Sequence, residues 1–133
     1  MINEAVDLVK EFQKRARQPV ANAPTILTSF QVQRRIDWIK KEIDELYDAS
    51  NIYEQADALV DTLYYLLGAF VEIGIYPDEL FRVVHQYNMK KVDSTNAVHD
   101  IDGRILKPNN WSHPDLEIKC IIDGMTDNSL EIE

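Results

Sequence analysis

The 133 residues include one cysteine, Cys120. An intrachain disulfide is therefore excluded, and a reducing, cytoplasmic setting is the expectation. Glycine and proline are scarce, at 4 and 5 residues, too few for a loop-dominated or low-complexity chain. No apolar run approaches the ~18 residues of a bilayer-spanning helix, so no membrane partner is expected. Basic residues are outnumbered 14 to 23, for a net charge of −9. That balance argues against gripping a phosphate backbone, and so against a nucleic-acid partner; it suits acidic sites that hold cations. The opening MINEAVDLVKEF carries Glu4 and Asp7 early and no basic run, so no secretory signal is read. The three histidines, His85, His99 and His113, stand apart, and none completes a Glu-x-x-His spacing. That absence disfavours a ferritin-like di-iron bundle.

What remains is 45% hydrophobic and 28% charged, the composition of one globular domain. Residues 1–92 read as helical, and 93–133 as a tail of different character within the same domain. Asn3 is a candidate N-cap for a first helix reaching about Arg17, with Ile2, Val6, Val9 and Phe12 at helical spacing. Pro19 and Pro24 mark a linker. A second helix begins near Thr28 or Ser29, and Val32, Ile36, Ile39, Ile43 and Leu46 form a packing seam. A third spans about Ile52 to Ile73, with Ala56, Leu59, Val60, Leu63, Leu66, Leu67 and Phe70 as a wide apolar face and Gly74 as its C-cap. Pro77, Asp78 and Glu79 suit the first turn of a fourth, and Lys90 and Lys91 its C-terminal end. The expected fold is all-α, a four-helix-bundle core. From Asp93 the helical period is lost. Asp102-Gly103 marks a turn between two short extended pieces, and the last residues read as a mobile acidic end.

Two acidic clusters stand out. Glu42 and Glu45 are three residues apart, about 60° around a helix, on the side that carries Trp38. Glu54, Asp57 and Asp61 fall within a similar arc of about 60° on the third helix, away from its Leu/Val/Phe side. Tyr64 and Gly68 continue that arc. A lone Glu-x-x-Glu pair is ordinarily a solvated face. The second cluster sits in the strongly apolar DALVDTLYYLLGAFV, and no Lys or Arg occurs between Lys41 and Arg82. These acids therefore face water or share a cation, because unpaired buried carboxylates are costly. A short loop near 47–52 makes the two helices antiparallel neighbours, which brings the clusters together. Four or five carboxylates without His or Cys specify a hard cation, Mg²⁺ or else Mn²⁺. Such a site organises phosphates, and the ion reverses the local negative charge that would repel them.

At these residues the chain resembles the all-α nucleoside triphosphate pyrophosphohydrolases, which include MazG-like proteins, phosphoribosyl-ATP pyrophosphohydrolase and the dimeric dUTPases. Lys41-Glu42-Ile43-Asp44-Glu45 is similar to the family's Glu-Glu-x-x-Glu, and Glu54-Gln55-Ala56-Asp57 matches its Glu-x-x-Asp. Asp61-Thr62-Leu63-Tyr64 resembles the Asp-Leu-Leu-Tyr that follows. Asn88-Met89-Lys90-Lys91 resembles the Asn-Met-x-Lys end of the fourth helix. Gly103-Arg104-Ile105-Leu106-Lys107, with Pro114-Asp115, resembles the tail of a phage and bacterial branch. The resemblance spans about 25–116. It implies cleavage between the α and β phosphates of a (d)NTP to give a nucleoside monophosphate and pyrophosphate, a role in cleaning the nucleotide pool, and a homodimer or dimer of dimers. It implies metal ligation by Glu42, Glu45, Asp57 and Asp61 with Glu54 close by, Glu54/Asp57 and Asp57/Asp61 both remaining open as the second pair. Catalysis would fall to Glu42, Glu45 and Asp61, and substrate contact to Asn88 and Lys91. Lys41 departs from the pattern, standing where the family has its first Glu. The water-activating base is then Asp44, Glu45 or the metal's own effect on the water.

The remaining prominent side chains divide between packing and substrate. Trp38 is a core or dimer-packing residue or else a base-stacking wall; Phe30 has the same two readings. Arg34 and Arg35 read as a solvated face or else as reaching the triphosphate, Tyr64 and Tyr65 as packing, with Tyr64 on the acidic arc, and Trp111 as an anchor for the tail on the bundle or on a partner subunit. The alternative function is a non-catalytic helical dimer that binds a nucleotide or a protein partner, which the departure at Lys41 motivates. A purely structural scaffold is the remaining reading.

Overall fold

A computed structural model of the chain describes residues 1–92 and 98–131, the side chains of 126–131 excepted. The described residues form five helices: α1 (Asn3–Arg15), α2 (Ser29–Asp48), α3 (Ile52–Ile73), α4 (Asp78–Lys90) and α5 (Asp115–Glu131). The fold is all-α, as the periodicity predicts. No single helix among the described residues is long and apolar enough to cross a membrane. The expected break at Asp93 lies outside the described residues.

Local chemistry sets the boundaries. A reciprocal capping box starts α2: Gln31 N–H donates to Thr28 Oγ1 at 3.1 Å, and Thr28 N–H donates to Gln31 Oε1 at 2.9 Å. Asn51 caps α3, its Oδ1 accepting from Glu54 N–H at 2.9 Å. Gly74 closes α3 with φ +73°. A Cβ there would lie 2.3 Å from the carbonyl oxygen of Ala23, so both backbone hand and space require glycine. The linker runs past this end of α3, where Ala21 and Thr25 N–H donate to the carbonyls of Val71 (3.1 Å) and Ile73 (2.8 Å).

Asn3 does not cap α1 as expected. Ile2 holds the N-cap position without a side-chain bond, and Asn3 Oδ1 instead accepts from Asp78 N–H at 3.1 Å. In return Asp78 Oδ1 accepts from the N–H groups of Ile2 (2.6 Å) and Asn3 (3.1 Å). Each helix start thus supplies the cap of the other. Pro77 stands just before α4, as its N-cap. Alone, burial would raise Asp78's carboxyl; the Ile2 and Asn3 amides prevail and lower it.

The core lies between α1 and the C-terminal half of α3, where Val6, Val9, Leu67 and Val71 are buried with Ile2, Ala5, Val20 and Phe70 around them. α2 runs antiparallel along α3, and α4 leaves α3 at 117° to pack against α5. The expected apolar seam is not covered within one chain. Val32, Ile36 and Ile43 of α2 and Leu59, Val60, Leu63 and Leu66 of α3 are exposed. α1 and α2 take other sides of α3, and among the described residues no element covers this one. In the tail, His99 and Ile105 form an isolated bridge around a turn in which Gly103 has φ +84°. Asp100 Oδ1 accepts there from Asp102 and Arg104 N–H, both at 2.9 Å. Where the helical period is expected to be lost, residues Asp115–Glu131 are helical.

Candidate active site

The α2–α3 interface is polar and aromatic, laid out in antiparallel register. At one level Glu42 meets Asp61. At the next, Trp38 lies 5.6 Å from the Tyr65 ring. Beyond that, Arg35 reaches past Gly68 to Glu72. The face of α3 that carries Asp61, Tyr65 and Gly68 is therefore the one turned to α2, while Leu59, Val60, Leu63 and Leu66 are turned outward.

Carboxylate oxygens of Glu42, Glu45 and Asp61 all lie within 4.8 Å of one another. Glu42 is buried at 8% exposure, Asp61 is half-buried and Glu45 is exposed. Glu42 Oε2 is fully buried with no hydrogen-bond partner among the described residues. Burial pushes the Glu42 carboxyl up from its usual range, and Glu45 and Asp61 push it further, against a smaller opposing pull from Lys41. A buried oxygen without a donor, beside two further carboxylates, fits a hard divalent cation. Asp57 and Glu54 stand outside this group. They line an adjoining depression with Glu45 and Asp48, and Glu54 is engaged by Ser50 N–H (3.0 Å) and Asn51 Nδ2 (3.1 Å).

The triad opens into a cleft lined by Glu42 and Asp61, by Phe12, Trp38, Tyr64 and Tyr65, and by Gln13, Gln18 and Arg35. Phe12 meets Tyr64 edge-on at 5.6 Å, and Trp38 carries the guanidinium groups of Arg34 and Arg35 at 5.1 and 5.0 Å from its centre. Arg34 and Arg35 do not form the expected solvated face. Arg35 is 5% exposed; its Nε donates to Glu72 at 2.6 Å and its Nη2 to Gln13 Oε1 at 3.0 Å. Arg34 adds a longer contact to Glu72 at 3.4 Å. Gln13 passes the network on to the Pro19 carbonyl at 2.9 Å. Sequence reasoning did not find Gln13 or Glu72. The available signals were a glutamine four residues after Val9 on an apolar stripe, and a lone acid in an apolar helix.

Asn88 and Lys91 line a different cleft, formed with the tail residues Lys107, Trp111, His113 and Pro114. Its lining shares no residue with the cleft of the triad. Trp111 anchors the tail there, donating from Nε1 to the Tyr87 carbonyl at 2.6 Å.

No curated protein matches the chain. Over residues 9–88, however, it matches the family described as phosphoribosyl-ATP pyrophosphohydrolase. That span covers α1 from Val9, all of α2 and α3, the acidic triad with its cleft, and α4 through Asn88. Its members hydrolyse phosphoric anhydride bonds of nucleotides, and metal dependence is typical of them. The chain belongs to this family, within the MazG-like all-α pyrophosphohydrolases, and is a nucleotide pyrophosphohydrolase.

Proposed function

We propose that the chain is a Mg²⁺-dependent pyrophosphohydrolase of nucleoside triphosphates, cleaving a (d)NTP to the monophosphate and pyrophosphate as a cytoplasmic nucleotide-pool cleaner. The observation that carries this reading is the meeting of Glu42, Glu45 and Asp61 around an unpartnered buried oxygen. Glu42 and Asp61 would hold the ion, with Asp57 and Glu54 at the edge of the group. A bound Mg²⁺ would neutralise the phosphates and lower the cost of attack by water. Glu45, the exposed member, would take the proton from that water, a role open to it because Lys41 stands where the family has its first Glu. The aromatic cleft beside the triad suits a nucleobase, with Trp38 as a stacking wall.

Asn88 and Lys91 would contact the sugar and phosphates. Since their cleft is separate from that of the triad within one chain, a homodimer is the proposed means of bringing both to one substrate. The exposed α2–α3 seam would be its contact surface.

The test is release of pyrophosphate from a panel of canonical and damaged (d)NTPs, with phosphoribosyl-ATP included, in Mg²⁺, Mn²⁺ or EDTA. The expected result is turnover of at least one (d)NTP with metal and none in EDTA. Turnover of phosphoribosyl-ATP alone would replace the proposed substrate. No turnover of any compound with either metal would favour the non-catalytic alternative.

A further inference from the structure

We infer that Arg35 is a positioning residue of the aromatic cleft: neutralised by Glu72, its guanidinium holds one lining residue from each of α1, α2 and α3, and so sets the walls before a nucleotide enters. This role rests on the proposed use of that cleft as the nucleobase site. Arg35 stands three residues before Trp38, so the two share one side of α2. Spacing therefore accounts for the guanidinium lying 5.0 Å from the indole centre. It does not account for the bonds to the other two helices. Nη2 donates to Gln13 Oε1 on α1 at 3.0 Å, and Nη1 donates to the Tyr65 carbonyl on α3 at 3.3 Å. Gln13, Trp38 and Tyr65 all line the cleft, and the rings of Trp38 and Tyr65 lie 5.6 Å apart. Gln13 in turn donates to the Pro19 carbonyl at 2.9 Å, which ties down the linker beside Gln18, a further lining residue. Walls fixed in advance spare the substrate the cost of ordering them, a saving that shows in KM more than in kcat.

Two plainer readings account for less. The first is that the network only stabilises the fold. A buried ion pair gains little over apolar side chains of the same volume, because both charges must be stripped of water. Arg35 and Glu72 are 5% and 3% exposed, so both bear that cost. An apolar pair could not supply a flat, forked group that stacks on one ring and donates in two further directions. The second is that Arg35 only neutralises Glu72. The Nε and Nη2 edge of the guanidinium meets that need, and the ammonium of a lysine would meet it as well. Neutralisation does not explain the bonds by which Nη2 and Nη1 reach Gln13 and Tyr65.

Arg35→Lys tests the inference, because it keeps the charge that Glu72 needs and removes the flat face and the fork. Circular dichroism establishes that the variant is folded. Steady-state kinetics with a nucleotide that the native chain turns over should show KM raised about five-fold or more, with kcat within about two-fold. The chain has two tryptophans, so Trp111→Phe leaves Trp38 as the sole indole reporter. In that background, without nucleotide, Arg35→Lys should raise acrylamide quenching of Trp38 about two-fold or more. Where Arg35→Lys does not fold, Glu72→Gln decides by the same two readouts, since it keeps the shape and an acceptor for Arg35 while removing the neutralising charge. Unchanged quenching, or a rise in KM no larger than the fall in kcat, overturns the inference. The two readings fail separately. If the native chain turns over no nucleotide, the enzymatic proposal falls and quenching alone decides the role of Arg35. Turnover with KM and quenching unaltered removes that role and leaves the enzyme.

Discussion

Gly68 stands where α2 and α3 touch, and the space that its missing side chain leaves is used by Arg35. A Cβ added there would lie 2.5 Å from both Arg35 Nη1 and Gln13 Oε1. Neither atom can withdraw cheaply, because both belong to the buried network that neutralises Glu72. Gly68→Ala is therefore expected to destabilise the fold by about 2 kcal/mol, the cost of overpacking, despite the better helix propensity of alanine. Denaturant unfolding checks it; an unchanged or raised midpoint would show that the network yields freely. Because Arg35 also carries Trp38 on its guanidinium face, the same substitution should disturb the wall of the aromatic cleft. Glu72 was not legible as its partner, since the two are 37 residues apart and local spacing carries no sign of the pairing.

At the scale of elements, the start of every helix in residues 1–92 could be read closely. Thr28 and Gly74 act at the helix ends expected of them, while Asn51, within the expected loop near 47–52, caps the helix that follows. The rule misled at Asn3, because the best acceptor for α1 comes from Asp78, 75 residues away. α5 escaped notice since its stripe is broken by Gly124 and Asn128 and by scattered acids, which weaken the periodic signal. The Asp78 cap predicts a pH dependence. Its carboxyl is held below its usual value of 3.8 in the folded chain, so the unfolded chain binds more protons in that interval and stability rises with pH across it. The contribution is present above the usual value and lost as pH falls through the lowered one. Asp78→Asn should reduce the melting temperature at pH 7 and flatten its fall on acidification. Parallel melting curves for the two proteins below pH 4 would show that the cap carries no stability.

At the scale of the whole molecule, an inverted polarity governs what could be foreseen. Clusters of acids on α2 and α3 were legible as a meeting point, and Glu42, Glu45 and Asp61 do meet. The assumption that Leu and Val faces turn inward was not sound here: Leu59, Val60 and Leu63 are 56%, 61% and 52% exposed. An apolar stripe shows that a surface will be covered, and not by which chain. If a second copy covers it, the protein should sediment as a dimer or larger at micromolar concentration. Leu63→Glu paired with Val60→Lys should then give a monomer and strongly reduce turnover. Sedimentation of the unaltered chain as a monomer at every concentration would remove this surface as an interface.

On the proposed function, the buried Glu42 oxygen is tolerated because a divalent cation completes it. Calorimetric titration of Mg²⁺ into metal-free protein, beside the Glu42→Gln variant, tests it most directly. Saturable binding to the native chain and none to the variant is the expected result. Saturable Mg²⁺ binding that Glu42→Gln leaves unchanged, or no binding to the native chain, would contradict it.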